Sequence, residues 1–202
     1  MTVVDYGMGN LRNVQRAFEH VGAPVRVSGS ADDVRAAEAL VLPGVGAFGE
    51  AARRIDRLGL REAILAHVKA GKPLLGICLG MQLLFDASDE SPGAAGLGII
   101  AGRVRSLPAG VKVPHIGWND VVPVVPDPML ESPGVFYFVH SYAADPVPGT
   151  FAIAEHGRGF CAAVRRGSVV GVQFHPEKSQ ASGLALLRKF LDEWIPAGGE
   201  AA

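Results

Sequence analysis

The feature that most limits how this chain can fold is an alternation through its first hundred residues. Short apolar runs are followed by longer segments with apolar residues every three or four positions. Residues Val3 to Asp5 read as a strand, and Leu11, Val14, Phe18 and Val21 form the stripe of a helix. A second strand at Val25 to Val27 leads through Ser30, a good N-cap type, to a short helix near Asp32 to Ala37 and then to a buried strand, Ala39 to Leu42. After the loop "PGVGAFG" come helical segments with Ile55, Leu58, Ile64, Leu65 and Val68 on their apolar faces. Gly71 closes them, and strand Pro73 to Ile77 follows. Repeated βαβ units of this kind imply an α/β fold with a doubly wound, mostly parallel sheet, because parallel neighbours need a long crossover.

The second half changes character. "GIIAGRVRSL", "VFYFVHSYAA", "TFAIAEHG", "FCAAVRRG" and "VVGVQF" are short strand-like runs between Gly and Pro turns, and they predict added, partly antiparallel strands at the sheet edge. A helix from about Ser182 to Ile195, with Leu184, Leu187, Leu191 and Trp194 in phase, is expected to pack back onto the sheet, and the tail "PAGGEAA" to fray. With 49% apolar residues, 202 residues suit a single domain spanning 1–202. The 19 Lys and Arg nearly balance the 20 Asp and Glu, with no like-charge run, so no nucleic-acid or membrane surface is expected. A secretory leader and a run near the roughly 20 apolar residues of a bilayer span are both missing, which makes the cytosol the expected compartment.

Chemistry has to be sought in a few places. The two cysteines form no C-x-x-C, so neither a disulfide framework nor a zinc site is indicated, and no metal or organic cofactor is expected. Cys161 lies in an apolar alternating strand and reads as core. Cys78 stands in G-I-C-L-G-M-Q, residues 76–82, where a parallel strand gives way to a helix at the ligand-binding edge of such sheets. Gly76 and Gly80 leave room for a sharp strand-turn-helix elbow around it. The helix start favours a thiolate, and the Leu79 N–H points where an oxyanion would form.

Of six histidines, His20 and His67 sit on amphipathic helices and His156 in a turn-like "EHGRG", which suits surface or capping roles, whereas His115 and His140 are harder to set aside. His175 closes an apolar strand, with Glu177 two residues on and a rigid proline between. In an extended segment both would face the same way, so that the acid orients the imidazole toward the sulfur. A third fragment, "LPGVGAFG" at 42–49, ends another strand and offers backbone amides for an oxyanion; it reads equally as an ordinary βα turn, and it lacks the Lys-Ser/Thr of a P-loop.

Together, G-I-C-L-G-M-Q, the upstream "PGVG" and the downstream H-P-E resemble the class I glutamine amidotransferases, in that family's order across nearly the whole chain. "DYGMGNL", "PHIGWN", "HSY" and "HPEKS" are similar to the branch formed by the glutaminase subunits of imidazole glycerol phosphate synthase. The resemblance implies a flavodoxin-like fold and glutamine hydrolysis by a Cys78–His175–Glu177 triad through a thioester. It assigns the oxyanion to Leu79 with Val45 and Gly46. It also places Gly44, Gln82, Glu90, Ser141 and Tyr142 around the substrate. The expected partner is a (β/α)8-barrel cyclase subunit that receives the ammonia in a heterodimer. Its docking face would include Asn10, Asn13, Trp118, Tyr137, His140 and Lys178, with docking completing the oxyanion hole through the "PGVG" loop. The alternatives left open are another class I branch, a flavodoxin-like cysteine hydrolase of a different amide, and a binding subunit without catalysis.

Overall fold

The computed structural model describes residues 1–194; the tail that was expected to fray lies outside them. The first half alternates as its periodicity requires: β1 Thr2–Val4, α1 Leu11–His20, β2 Arg26–Ser28, α2 Ala31–Ala36, β3 Leu40–Leu42, α3 Phe48–Arg57, α4 Leu60–Lys69 and β4 Leu74–Ile77. Asn10 caps α1 by accepting from the Asn13 N–H, and Ser30 caps α2 by accepting from the Asp33 N–H, each satisfying a donor that the first turn leaves free.

A single turn of helix, α5 Leu79–Gln82, follows. Then come β5 Phe85–Ser88, β6 Ile100–Ser106, β7 His115–Pro123, β8 Gly134–His140, β9 Tyr142–Ala144, β10 Thr150–Glu155, β11 Gly159–Arg166 and β12 Val169–Val172, a 3₁₀ turn at Pro176–Lys178, and α6 Gln180–Trp194. Nine strands form one sheet in the order β2-β1-β3-β4-β12-β11-β10-β7-β8. Pairing is parallel from β2 through β12 and antiparallel from β12 to β8, so the late strands do extend the parallel sheet at one edge.

Three features depart from the sequence reading. β6 leaves the main sheet and, with β5 and β9, forms a separate three-stranded one. The run "VFYFVHSYAA" breaks at Ser141, which sends β8 into the large sheet and β9 into the small one. "PHIGWNDVVP", whose Gly, Asn and Asp hide a strand signal, forms β7, because seven registered pairs with β8 override its weak local preference.

Adjacent strand residues divide between the two faces of the sheet, as the period of two requires. Val3, Val41 and Leu75 pack with Phe18 of α1 and Leu187 and Phe190 of α6. Val4, Leu40, Leu42 and Leu74 pack with Phe48 and Ile55 of α3 and Ile64 of α4. His67, expected at the surface or as a cap, is instead buried, its Nε2 3.0 Å from the Pro73 carbonyl. Burial holds its pKa below the ordinary value despite that bond, because α4 turns this face onto the sheet. Among the described residues no helix is long and apolar enough to cross a membrane.

Candidate active site

Cys78 follows directly on β4 in a conformation, φ 54° and ψ −110°, that L-residues adopt only under constraint. Its N–H donates to the Val172 carbonyl at 2.8 Å, which ties the elbow to the neighbouring strand β12. The flanking glycines permit the turn. A methyl at Gly80 would lie 1.7 Å from the Leu42 carbonyl oxygen, and one at Gly76 would lie 2.9 Å from the Met81 nitrogen. β3, β4 and α5 could not then approach one another as they do.

The parallel register of β4 with β12 pairs Val172 with Ile77, so the residues just beyond, Cys78 and Gln173, emerge side by side, with His175 two further on. The His175 N–H donates to the Tyr137 carbonyl at 2.9 Å, and the Ser179 hydroxyl donates to the His175 carbonyl at 2.6 Å. Glu177 meets the ring through a turn rather than an extended segment. The 3₁₀ turn begins at Pro176 and brings Glu177 Oε1 to 2.7 Å from His175 Nδ1, both side chains being 2% exposed. Burial opposes charge on this ring, yet the Cys78 sulfur and the Glu177 carboxylate outweigh it and raise the His175 pKa well above its usual value. The carboxylate fixes the Nδ1–H tautomer, and Nε2 is left buried without a hydrogen-bond partner.

Cys78 opens onto a cavity of about 370 Å³. Of the residues expected there, Val45, Gly46, Leu79, Gln82, Glu90, Ser141 and Tyr142 line it, with His140 and Lys178 at its wall. Gly44 does not; it lies behind the loop against Tyr6 and Leu79, a packing role rather than a substrate contact. Glu90 has a structural duty, its Oε2 accepting the Phe48 N–H at 2.7 Å and so capping α3, whose N-cap Ala47 offers no side-chain acceptor. Gln82 is 5% exposed, and its Nε2 donates to the Tyr142 carbonyl at 2.8 Å and to Gln173 Oε1 at 3.1 Å.

The expected docking residues separate. Trp118 is 49% exposed and lies across the β7–β8 hairpin from Tyr137, with Lys178 Nζ 5.6 Å from the Tyr137 ring. His140 is buried beneath that surface and meets the rings of Phe138, Phe160 and His115 at tilted and edge-on angles. Asn10 is exposed, and Asn13 lines a smaller cavity behind Glu177, away from the sulfur. Cys161 is buried, and burial pushes its thiol up to about 12, as suits a core residue. Sequence reasoning missed Gln173, Val139 and Pro114. Gln173 lies only two residues before His175 on a strand that had already been recognised, a placement that could have flagged it.

Residues 2–194 match the family model described as "Glutamine amidotransferase class-I". The chain belongs to that family. This class I glutamine amidotransferase is 48% identical over 196 residues to the imidazole glycerol phosphate synthase subunit HisH of Rhodopirellula baltica, covering 94% of this chain and 96% of that one. The subunit of the same name from Methanothermobacter thermautotrophicus is 46% identical, covering 95% of this chain and 98% of the other. In three dimensions the fold resembles a crystal structure of a glutamine amidotransferase, with a TM-score of 0.74 at 21% identity over 95% of this chain and 97% of that one. It also resembles PurLQS from Thermotoga maritima, with a TM-score of 0.73 at 20% identity over the same shares.

Proposed function

We propose that this glutamine amidotransferase is the glutaminase subunit of an imidazole glycerol phosphate synthase, with Cys78, His175 and Glu177 as its catalytic triad. The observation that carries the site is Cys78 itself: a residue held at positive φ on a strand end, facing a cavity, with a buried histidine beside it that is paired to Glu177 and raised toward its charged form. The sulfur attacks the side-chain amide carbon of glutamine, and the carbonyl electrons move onto oxygen, where the Leu79 and Val45 N–H groups, with Gly46 allowing close approach, stabilise the charge. As the tetrahedral intermediate collapses, His175 gives a proton to the departing nitrogen, and ammonia and a thioester result. The same imidazole then takes a proton from water, which attacks the thioester and releases glutamate and the thiolate. Gln82, Glu90, Ser141 and Tyr142 surround the amino-acid end of the substrate.

Ammonia is passed to a cytoplasmic (β/α)8-barrel cyclase that docks on the face bearing Trp118, Tyr137 and Lys178. Cys78→Ala is expected to abolish ammonia release while leaving glutamine binding intact. A glutamine-analogue alkylator should label Cys78 in the native chain and nothing in that variant. Undiminished hydrolysis by Cys78→Ala would exclude this nucleophile.

A further inference from the structure

Two hydrogen-bonding groups reach the Cys78 sulfur: the Val139 carbonyl, 3.9 Å away, and the side-chain amide of Gln173, 3.7 Å away. A carbonyl can only accept, so it favours the protonated thiol. An amide has two unlike ends, and its effect depends on which end is presented. Gln173 has no exposed surface, so its side-chain amide must be satisfied by neighbouring protein groups.

The direction of that amide is fixed from further along. The Tyr142 carbonyl is an acceptor only, so the end of Gln82 that lies 2.8 Å from it is the NH2 group. The same nitrogen lies 3.1 Å from the Gln173 side chain, which must answer with its oxygen. What remains of Gln173 to face the sulfur is an N–H. Reversing the Gln173 amide would set two NH2 groups against each other and an oxygen against the sulfur, and the Gln173 side chain is fully buried.

The far end of the chain is held too. His140 Nδ1 gives the Tyr142 carbonyl a second hydrogen bond at 3.0 Å, and His140 Nε2 lies 3.0 Å from His115 Nδ1, which fixes the tautomers of both neutral rings.

We propose that Gln173 is a further catalytic residue, which stabilises negative charge on the Cys78 sulfur during the reaction by donating its side-chain N–H to it, in a direction set by Gln82 and the Tyr142 carbonyl. The proposal rests on Cys78 being the nucleophile. An N–H aimed at sulfur stabilises the negative atom more than the neutral one. The bond serves twice, first as the sulfur gives up its proton to attack and again when the thioester is hydrolysed and the thiolate leaves.

The test is site-resolved alkylation of the full chain by iodoacetamide at pH 7, read by mass spectrometry, with buried Cys161 as an internal reference, alongside glutamine hydrolysis. Gln173→Leu keeps the volume and loses the N–H. Its Cys78 alkylation rate and its kcat are each expected to fall about tenfold with KM little changed, the loss of one charge-assisted hydrogen bond. Gln173→Glu, which sets a carboxylate against the sulfur, should fall further. A folded Gln173→Leu chain with native near-ultraviolet dichroism and the native alkylation rate would overturn the proposal. Should that variant fail to fold, Gln173→Met, flexible and likewise without a donor, gives the same readings. Failure of a glutamine analogue to label Cys78 in the native chain would instead remove the nucleophile itself, and this inference with it.

Discussion

A methyl group at Gly44 would lie 2.3 Å from Tyr6 Oη, 2.9 Å from Leu79 Cβ and 3.2 Å from the Gly80 nitrogen. Here the reason for glycine is space rather than backbone conformation: the loop bearing Val45 is pressed against the elbow bearing Cys78. Gly44→Ala should therefore cost roughly 1–3 kcal/mol of stability by overpacking. Moving an oxyanion donor by even 1 Å should lower kcat by about a hundredfold. Because Tyr6 Oη also donates to the Pro43 carbonyl at 2.7 Å, the Gly44→Ala/Tyr6→Phe double variant removes the nearest clash and should recover part of the activity. Equal kcat values for the two variants would show that Tyr6 is not what the added methyl strikes. At this scale the proposed triad was legible because each member stands in a short motif whose spacing carries a mechanism. Gln173 was only half legible: its place two residues before His175 is a local signal, but its proposed role comes from a cross-strand register and an amide chain assembled through space. The capping role of Glu90 was hidden for a related reason: the Phe48 N–H that it accepts from lies far away in sequence.

Elements brought together by tertiary pairing carry the least legible part of the molecule. β7 and β8 place His115 opposite His140, and the turn after β10 stacks His156 on His115 with ring centroids 4.2 Å apart. Burial, then the charge of a neighbouring histidine, lowers His140 to about 3 and His115 to about 4. Both rings are thus neutral when folded, while the unfolded chain protonates them near pH 6.5. The stability they allow is complete above that pH and is lost as pH falls from about 6.5 toward 4, each ring contributing a slope of about 1.4 kcal/mol per pH unit. Denaturant unfolding across that range should show the loss. His140→Phe, though about 1–3 kcal/mol less stable at pH 8 from the donor and acceptor it strands, should show a shallower slope by about one proton. An unchanged slope would place the acid sensitivity elsewhere. No periodicity in "PHIGWNDVVP" announced this cluster, whereas the βαβ half of the chain was readable because its periods of 2 and 3.6 are local properties of the chain.

Over the whole molecule, the outer face of the β7–β8 hairpin runs without a break from the cavity to open surface. Val139 lines the cavity beside Cys78; its cross-strand partner is Ile116, 57% exposed, and the next pair on that face is Trp118 with Tyr137. Beneath it, Phe136, Phe138 and His140 point into the core, whereas Val135, Tyr137 and Val139 face the other way, where the described residues leave them partly or largely exposed. Lys178, following the triad acid, sits over Tyr137 at 5.6 Å and adds a cation to the same patch. A cyclase docked here would cover the cavity mouth and receive ammonia before it met water. It would also press on the exposed Val45 loop, where we place the proposed second oxyanion donor. Two consequences can be measured on one preparation. Glutamine turnover by the isolated chain should rise at least tenfold on adding the cyclase with its own ligand, whereas alkylation of Cys78 by iodoacetamide should need no partner. Trp118→Asp, which buries a charge in the apolar centre of the contact, should abolish co-purification and that stimulation while leaving the alkylation rate of the isolated chain intact. If Trp118→Asp still co-purified and was still stimulated, the ammonia would have to leave by a different face, and the β7–β8 surface would need another explanation for its exposed Ile116, Trp118 and Val135.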